Sequence, residues 1–558
     1  MANSLIGSAQ LAQQERDSHA VDGVATGIAA FIGRTLKGPI SRPLTVRSFS
    51  EFQRHFGGLW QPSTLSYALE QFFDNGGREA RIVRVANGAR PPTLSLPAAG
   101  RTLTLIAVNP GSREYLRASV DYDGLSAVDA DRFNLVVQRV RTAGSELVED
   151  QEIYRRVSVK PDAQGFVTDV LLQSTLARVH GAVPERRPDR SAGAPGGVAV
   201  GYTLSNPDGD DGAPLTDYDV IGSRARGTGL FALEGAVRFN LLCIPPLRRE
   251  QDVGLSTLLV AARICRERCA LLMVDPPASW TSAPAALQAL RTWPFRSDCA
   301  VMYYPRIQAF DRLRGRIEIF GSSAAAAGMI ARSDESWPVW TAAEPEEAAL
   351  RPGLRPAVTV SDADRVRLTQ AGVNTLLAVR STARTGLGPR TLAAGGSGAS
   401  DWRYLSARRL ALFVAASIEQ GTRWVLLEHN GPATWARARA SAAEFLGALA
   451  AQGAFAGAGT RDSHFVICDE RVNGEQSVAA GKFNLLFGFA TTRAGEFDTW
   501  LVTHRPGESR VRPVSVNRSA TSRQRVEWEI QTSILRGGMH GHTGQSAPGT
   551  DSRGPPSR

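Results

Sequence analysis

The chain has 558 residues, 43% of them apolar and 21% charged, and a formal net charge of +10. That length exceeds what one hydrophobic core serves, so about two to four domains are expected, and the composition excludes a disordered or collagen-like chain. No run reaches the ~18 consecutive apolar residues of a membrane span, and "MANSLIGSAQLAQQERDSHA" lacks the layout of a secretory signal, so the expectation is a cytoplasmic protein with no membrane insertion.

The basic surplus is uneven. From Arg505 to the end, 54 residues hold nine arginines against four acidic residues, a net +5. No aromatic–basic stacking motif accompanies it, so a solvated face or an acidic protein partner is expected, and no nucleic acid. The five cysteines (Cys243, Cys265, Cys269, Cys299, Cys468) are odd in number and mostly set in apolar runs, which predicts buried free thiols. Cys265 and Cys269 are four apart, but two ligands without a second pair do not make a zinc site.

In chain order, residues 1–22 read as a polar arm, which at 20 residues would reach at most about 70 Å. "GIAAFIGR" then reads as a buried strand. "SFSEFQRHFGG" pairs Ser48 with Glu51 as a capping box and ends in Gly57–Gly58. "STLSYALEQFFDNGG" is a second helix with Leu65, Leu69, Phe72 and Phe73 inward, and "REARIVRV" returns as a strand. Residues 23–88 thus form a β-α-α-β part. Between 89 and 200 the texture changes to short strands and turns, among them "TLTLIAV", "YLRASVDYD", "RFNLVVQRVR" and "EIYRRVSVK", which predicts an inserted β-rich domain closed by the linker "RPDRSAGAPGG".

Residues 201–389 alternate strand and helix in the manner of an open α/β sheet: "RFNLLCIPP", "QDVGLSTLLVAARICRER", "CALLMVDPP", "PAALQALRTW", "CAVMYYPRI". "SAAAAGMIARSD" follows as a helix of small residues that permits close backbone approach. From 390 to 505 an α+β domain is expected, with helices in "DWRYLSARRLALFVAASIEQGT" and "TWARARASAAEFLGALAAQGAF" and strands in "RWVLLEHN", "HFVICDE" and "EFDTWLVTH". A C-terminal extension, 506–536, still alternates in "RVRPVSVNRS" and "RQRVEWEIQTS", and residues 537–558 read as a disordered tail.

Reactive chemistry fails at each candidate. A Walker loop needs Gly-x4-Gly-Lys-Ser/Thr, whereas "GRTLKGP" puts Lys37 before Gly38 and a proline after it. Gly23, Gly27 and Gly33 are too widely spaced for a dinucleotide fingerprint. In "SNPDGDDGAPLTDYD", counted from Asn206, Asp211 stands at the calcium loop's glycine position and Asp217 at its glutamate, so an acidic turn is the better reading. "FGSSAAAAG" has Ala325 where a nucleophile elbow needs glycine. His540 and His542 form only an adventitious dyad in the tail. Asp275 in "VDPP" closes a strand where α/β sheets keep functional groups, and a cytoplasmic α/β enzyme using Asp275 stays open as the alternative.

"GIAAFIGRTLKGP…LTVRSFSEFQRHFGGLW…LSYALEQFFDNGGREARIVRV" resembles the N-terminal signature of the contractile tail sheath family. "GLFALEGAVRFNLLCIPP", "CALLMVDPP" and "MYYPRI" continue the likeness, as do "WRYLSARRLALFVAASIEQGTRWVLLEHN", "FLGALAAQGAF" and "GKFNLLFGFA" in the same order. Members sheath the tails of contractile phages, R-type bacteriocins and phage-like extracellular injection systems. The resemblance implies a non-enzymatic, cofactor-free structural protein: a sheath-type core with α/β and α+β domains, an inserted β-rich domain and extended terminal arms. It implies a homo-oligomer, stacked or helical, around an inner tube protein, with baseplate and cap proteins at its ends. Such a sheath is assembled in the cytoplasm in a metastable extended state and released as part of a particle.

By the same resemblance, Phe497, Asp498, Thr499, Trp500, Leu501, Val502 and Thr503 would lie in or near a sheet shared between subunits. Arg408, Arg409, Arg437 and Arg439 would be candidates for touching an acidic tube. Two departures from the family, the polar N-terminal arm and the C-terminal overrun, suit a specialised copy at the baseplate or cap end as well as a bulk sheath subunit. A static shell protein of the same fold is a further alternative.

Overall fold

A computed structural model describes residues 19–126, 128–191, 201–235, 238–341, 349–377, 388–395, 401–457 and 459–514. The expected arm up to residue 18, part of the 187–197 linker, the extension from 515 with "RQRVEWEIQTS", and the tail with His540 and His542 lie outside these residues. The chain is mixed α/β with several sheets, and it divides into two compact units, Ala25–Arg409 and Met1–Val24 with Leu410–Arg558.

The larger unit is organised on β1 (Ala29–Gly33), the "GIAAFIGR" strand, whose five residues are all buried. Strands β2 (Leu44–Val46) and β3 (Ala80–Arg84) follow it, with the helices Phe49–Phe56 and Thr64–Asp74 between them. Both helices start as the sequence predicts, with Ser48 Oγ accepting from Glu51 N at 3.1 Å and Ser63 Oγ accepting from Ser66 N at 3.2 Å. The capping box is shifted, because the Glu51 carboxylate accepts from the N–H of Arg47 at 2.8 Å. Gly57 closes the first helix at φ 92°, a left-handed turn that only glycine adopts without strain. Phe73, expected inward, is only half-buried, while Leu65, Leu69 and Phe72 are in the core.

Between residues 89 and 200 six strands form, β4 (Thr93–Ala98), β5 (Arg101–Ala107), β6 (Tyr115–Asp121), β7 (Arg132–Val140), β8 (Val148–Ser158) and β9 (Ala177–Val179), and β10 (Thr203–Leu204) follows just beyond. They pair as β4-β5-β9 and β10-β6-β7-β8 around a core that includes Leu96, Leu105, Phe133, Leu135 and Val137. The acidic turn after them works as a clasp. Asp208 accepts from Thr93 N at the start of β4 and Asp211 from Ser112 N between β5 and β6, each at 2.8 Å. Lys37 is also structural: it is buried and ion-paired with Glu149.

Strands β11 (Leu241–Cys243), β12 (Leu271–Val274) and β13 (Ala300–Tyr304) alternate with the helices Leu255–Glu267 and Ala283–Leu290, as expected. A hairpin absent from the sequence reading follows, β14 (Ile307–Asp311) and β15 (Arg316–Phe320), with β16 (Arg355–Pro356) paired to β14. With β17 (Asn374–Thr375) the main sheet runs β17-β13-β12-β11-β1-β3-β2, parallel throughout except for β2. Parallel strands covered on both faces read as unbroken apolar runs, which is why these segments were legible.

The smaller unit carries most of the helix Leu405–Gly421, the helix Pro432–Ala451 and an antiparallel sheet of β18 (His464–Ile467), β19 (Phe483–Ala490), β20 (Phe497–Arg505) and β21 (Glu508–Val514). The strand expected in "RWVLLEHN" is instead a 3-10 helix, Arg423–Leu427. Its side chains explain the correction: Val425 is buried, but Leu427 is 90% exposed and Leu426 39%, so only one residue of the apolar run enters the core. The stretch Leu405–Leu427 is long and apolar enough to cross a membrane, but 61% of its most apolar 18-residue window is buried, as in the core helix of a globular protein.

Candidate assembly surface

The winding of the main sheet reverses between β1 and β11, and in open α/β sheets the crevice at such a reversal, beyond the carboxyl ends of the strands, is where ligands bind. Here a network of paired side chains narrows the region. The Asp311 carboxylate at the hairpin accepts from Tyr67 Oη at 2.9 Å and from Arg249, whose guanidinium lies 4.9 Å from the Tyr67 ring and 4.8 Å from that of Phe320. Arg306 pairs with Asp252 beside them. Asp275 is at the end of β12 as expected, but both its oxygens accept from Ser323, N and Oγ, at 2.8 Å. It thereby caps the helix Ser323–Ser336. Burial pushes its carboxyl up, and the bonds from Ser323 and the charge of Arg306 offset part of that rise. The cavity it shares with Gln71, Arg249 and Arg306 measures about 20 Å³, room for one water, and a second one, lined with Asp252, Leu258 and Trp293, measures about 90 Å³. All five cysteines are buried and free, and no metal-binding cluster of His, Cys, Asp or Glu occurs among the described residues.

The smaller unit has a different character. Its sheet packs one face through Phe483, Leu485, Phe487 and Phe489 of β19, all buried. In register beside them lie His504, Val502, Trp500 and Asp498 of β20. Asp498 to Val502 are buried and Phe497 and Thr503 half-buried. Strand β20 is hydrogen-bonded along both edges, to β19 and to β21. Its backbone is therefore already satisfied, and the open edges of this sheet are β18 and β21. Strand β21 carries Arg510, Arg512 and Pro513 on that edge, residues that discourage indiscriminate pairing.

The four candidate arginines fall into two classes. Arg408 is 1% exposed, with Nη2 3.2 Å from Asp298 and 2.8 Å from Cys299 Sγ. Its neighbour Arg409 pairs with buried Asp334. Neither guanidinium is presented at the surface in this conformation. Arg437 and Arg439, on the helix Pro432–Ala451, are about half exposed at 48% and 46%, and their partners are Glu428 and Asp469. That helix buries Trp435, Ala438, Ala442, Leu446 and Leu449 and turns the arginines outward.

A seat for the N-terminal segment went unread in the sequence. Residues 19–24 lie against this unit with Val21 and Val24 buried. Ser441 Oγ donates to His19 O at 2.6 Å, and Val24 N donates to Ser417 Oγ at 3.1 Å. Gly421 leaves the space, since a Cβ there would stand 2.9 Å from Val21 Cα. The His19 ring lies 4.2 Å from that of Trp424, and its Nε2 lies 3.5 Å from Glu428, which also holds Arg437. Only the two valines and the glycine signal this seat, and nothing in their spacing names a partner.

Beneath the sheet, His504 bonds through its two ring nitrogens to Thr422 Oγ1 and Ser509 Oγ, each at 2.8 Å. Burial, with a smaller push from the charge of Arg423, takes it from 6.5 down to about 4. The folded state thus favours neutral imidazole. Its contribution is complete above pH 6.5 and is lost as pH falls from 6.5 towards 4, by up to about 3 kcal/mol. Urea midpoints at pH 7.5 and 4.5 are expected to differ less in His504→Gln than in the wild type; equal differences would refute the buried neutral ring.

No protein-family profile and no curated protein matches the sequence. Solved structures match over most of the chain, among them sheath proteins of contractile injection systems and sheath tail proteins. The sheath tail protein Lin1278 from Listeria innocua superposes with a TM-score of 0.57 at 11% identity, covering 89% of this chain and 99% of that one. The contracted sheath complex of the extracellular contractile injection system PVC gives 0.47 at 17% identity, over 86% and 91%. The contracted helical sheath of the anti-feeding prophage also gives 0.47, at 16% identity over 86% and 93%.

Proposed function

We propose that this sheath fold serves as a sheath: the chain is a non-enzymatic structural subunit that self-assembles around an inner tube in a metastable extended state. On a signal from the baseplate it contracts and drives the tube through a target envelope. The observation that carries this reading is the superposition on nearly the whole of a sheath tail protein. The ties of Asp275 support it, because both carboxylate oxygens are engaged by Ser323 at the start of a helix. The partners are further copies of the chain, an inner tube protein, and baseplate and cap proteins. Assembly takes place in the cytoplasm, and no cofactor is called for because the energy is stored in subunit contacts. Arg437 and Arg439 remain the tube-facing candidates, and β20 belongs to the sheet that neighbours would extend at β18 or β21.

The test is negative-stain microscopy of the full chain, alone and co-expressed with the tube protein encoded beside it. Long striated tubes are expected, diminished by deleting residues 1–18 or 515–536. The second deletion must begin after Val514, because removing β20 would open the core. A uniform monomer under both conditions would overturn the sheath reading.

A further inference from the structure

The hairpin β14–β15 has two unlike faces. Inward it places Ile307, Asp311 and Phe320, all buried. Outward it places Phe310 directly opposite Ile317, with Ile319 on the same side and Leu313 at the turn, and these four are 61%, 68%, 48% and 53% exposed. Single exposed apolar residues are ordinary, but four on one hairpin face make a contiguous patch of the kind that marks an interaction site. The rim is basic. "FDRLRGRI" holds three arginines, and Arg312 and Arg316 are 68% and 67% exposed. The hairpin's two acids are turned inward: Asp311 is buried and bound by Arg249, and Glu318, 16% exposed, pairs with Arg249, Arg314 and Arg316.

A second patch on the same unit has the opposite charge. Strand β8 is the outer strand of β10-β6-β7-β8, so one of its edges is open. Around its start "SELVEDQEI" holds four acidic residues and no basic one. Leu147, Val148 and Ile153 are exposed there at 58%, 42% and 55%, beside Glu146 at 89% and Asp150 at 47%. Within one chain both patches stand exposed, so they do not cover each other.

We propose that the basic, apolar outer face of the β14–β15 hairpin docks on the acidic, apolar start of β8 in a second copy of this chain. Apolar area meets apolar area, and Arg312 and Arg316 meet Glu146 and Asp150. In the single chain these charges pair with groups that are themselves largely buried, Glu70 and Glu318 at 16% exposure, Arg117 at 7% and Arg139 at 18%. Glu318, Arg117 and Arg139 keep second partners in Arg249, Gln138 and Glu114 when the outer charge turns to a neighbour. Because the two patches differ, the contact is head-to-tail, and repetition of such a contact builds rings or open helices. The proposal deepens the sheath reading by naming a subunit contact, and it rests on that reading only for self-association.

A charge swap tests it in the full chain, co-expressed with the tube protein and followed by sedimentation and microscopy. The double change Arg312→Glu with Arg316→Glu is expected to weaken self-association about tenfold or more, and Glu146→Arg with Asp150→Arg likewise. All four together are expected to restore it to within about threefold of the wild type. Thermal melts unchanged from the wild type show that the variants are folded. Tubes that form normally in the hairpin variant overturn the contact while leaving the sheath reading intact. Loss of assembly without rescue overturns β8 as the seat. A wild type that never associates overturns the contact together with the sheath reading.

Discussion

Replacing Arg408 with alanine is expected to destabilise the protein by about 3–5 kcal/mol, the range for breaking a buried ion pair from one side. The guanidinium lies 3.2 Å from Asp298 Oδ2 and 2.8 Å from Cys299 Sγ, and 4.9 Å from the Trp402 ring. Burial by itself would raise the Asp298 carboxyl, but Arg408 and Arg266 hold it below the ordinary range. Removing Arg408 strips away the nearer of these charges and leaves a void in a packed interior. Arg437→Ala, at a position 48% exposed, is expected to cost less than about 1 kcal/mol. Urea denaturation of both variants decides the matter. If Arg408→Ala matched Arg437→Ala in stability, the anchoring role assigned to Arg408 would be wrong.

Gly328→Ala is expected to cost about 3 kcal/mol or more, although it adds one methyl to a helix and improves helix propensity. A Cβ at this position would stand 2.4 Å from the carbonyl oxygen of Phe72 and 2.9 Å from Asn75 Cβ. Neither atom is the yielding end of a flexible side chain, so the helices Thr64–Asp74 and Ser323–Ser336 must separate. The same change at Gly447, within the helix Pro432–Ala451 and with nothing inside 4 Å of the added carbon, is expected to stabilise by about 0.5–1 kcal/mol. Opposite shifts in thermal midpoint are the expected result. Stabilisation by both changes would show that the helices do not approach so closely.

By itself the sequence determined those elements whose signal is local. The buried run of β1, the serine cap at Ser48, the left-handed stop at Gly57 and the short strands between residues 89 and 200 are each written within about ten residues, and each has its counterpart in the structure. The co-linear likeness to sheath proteins was legible for the same reason, and the fold agrees with it. Burial of Arg408 but not Arg437, the pairing of β20 along both edges and the narrowing of the Asp275 crevice by Tyr67, Arg249 and the hairpin were decided only by tertiary structure. So was the seat of residues 19–24 on helices about 400 positions away. An arginine has the same helix propensity whether its charge ends in water or against a buried carboxylate. Its fate depends on partners 75 to 109 residues distant, and no local pattern specifies those.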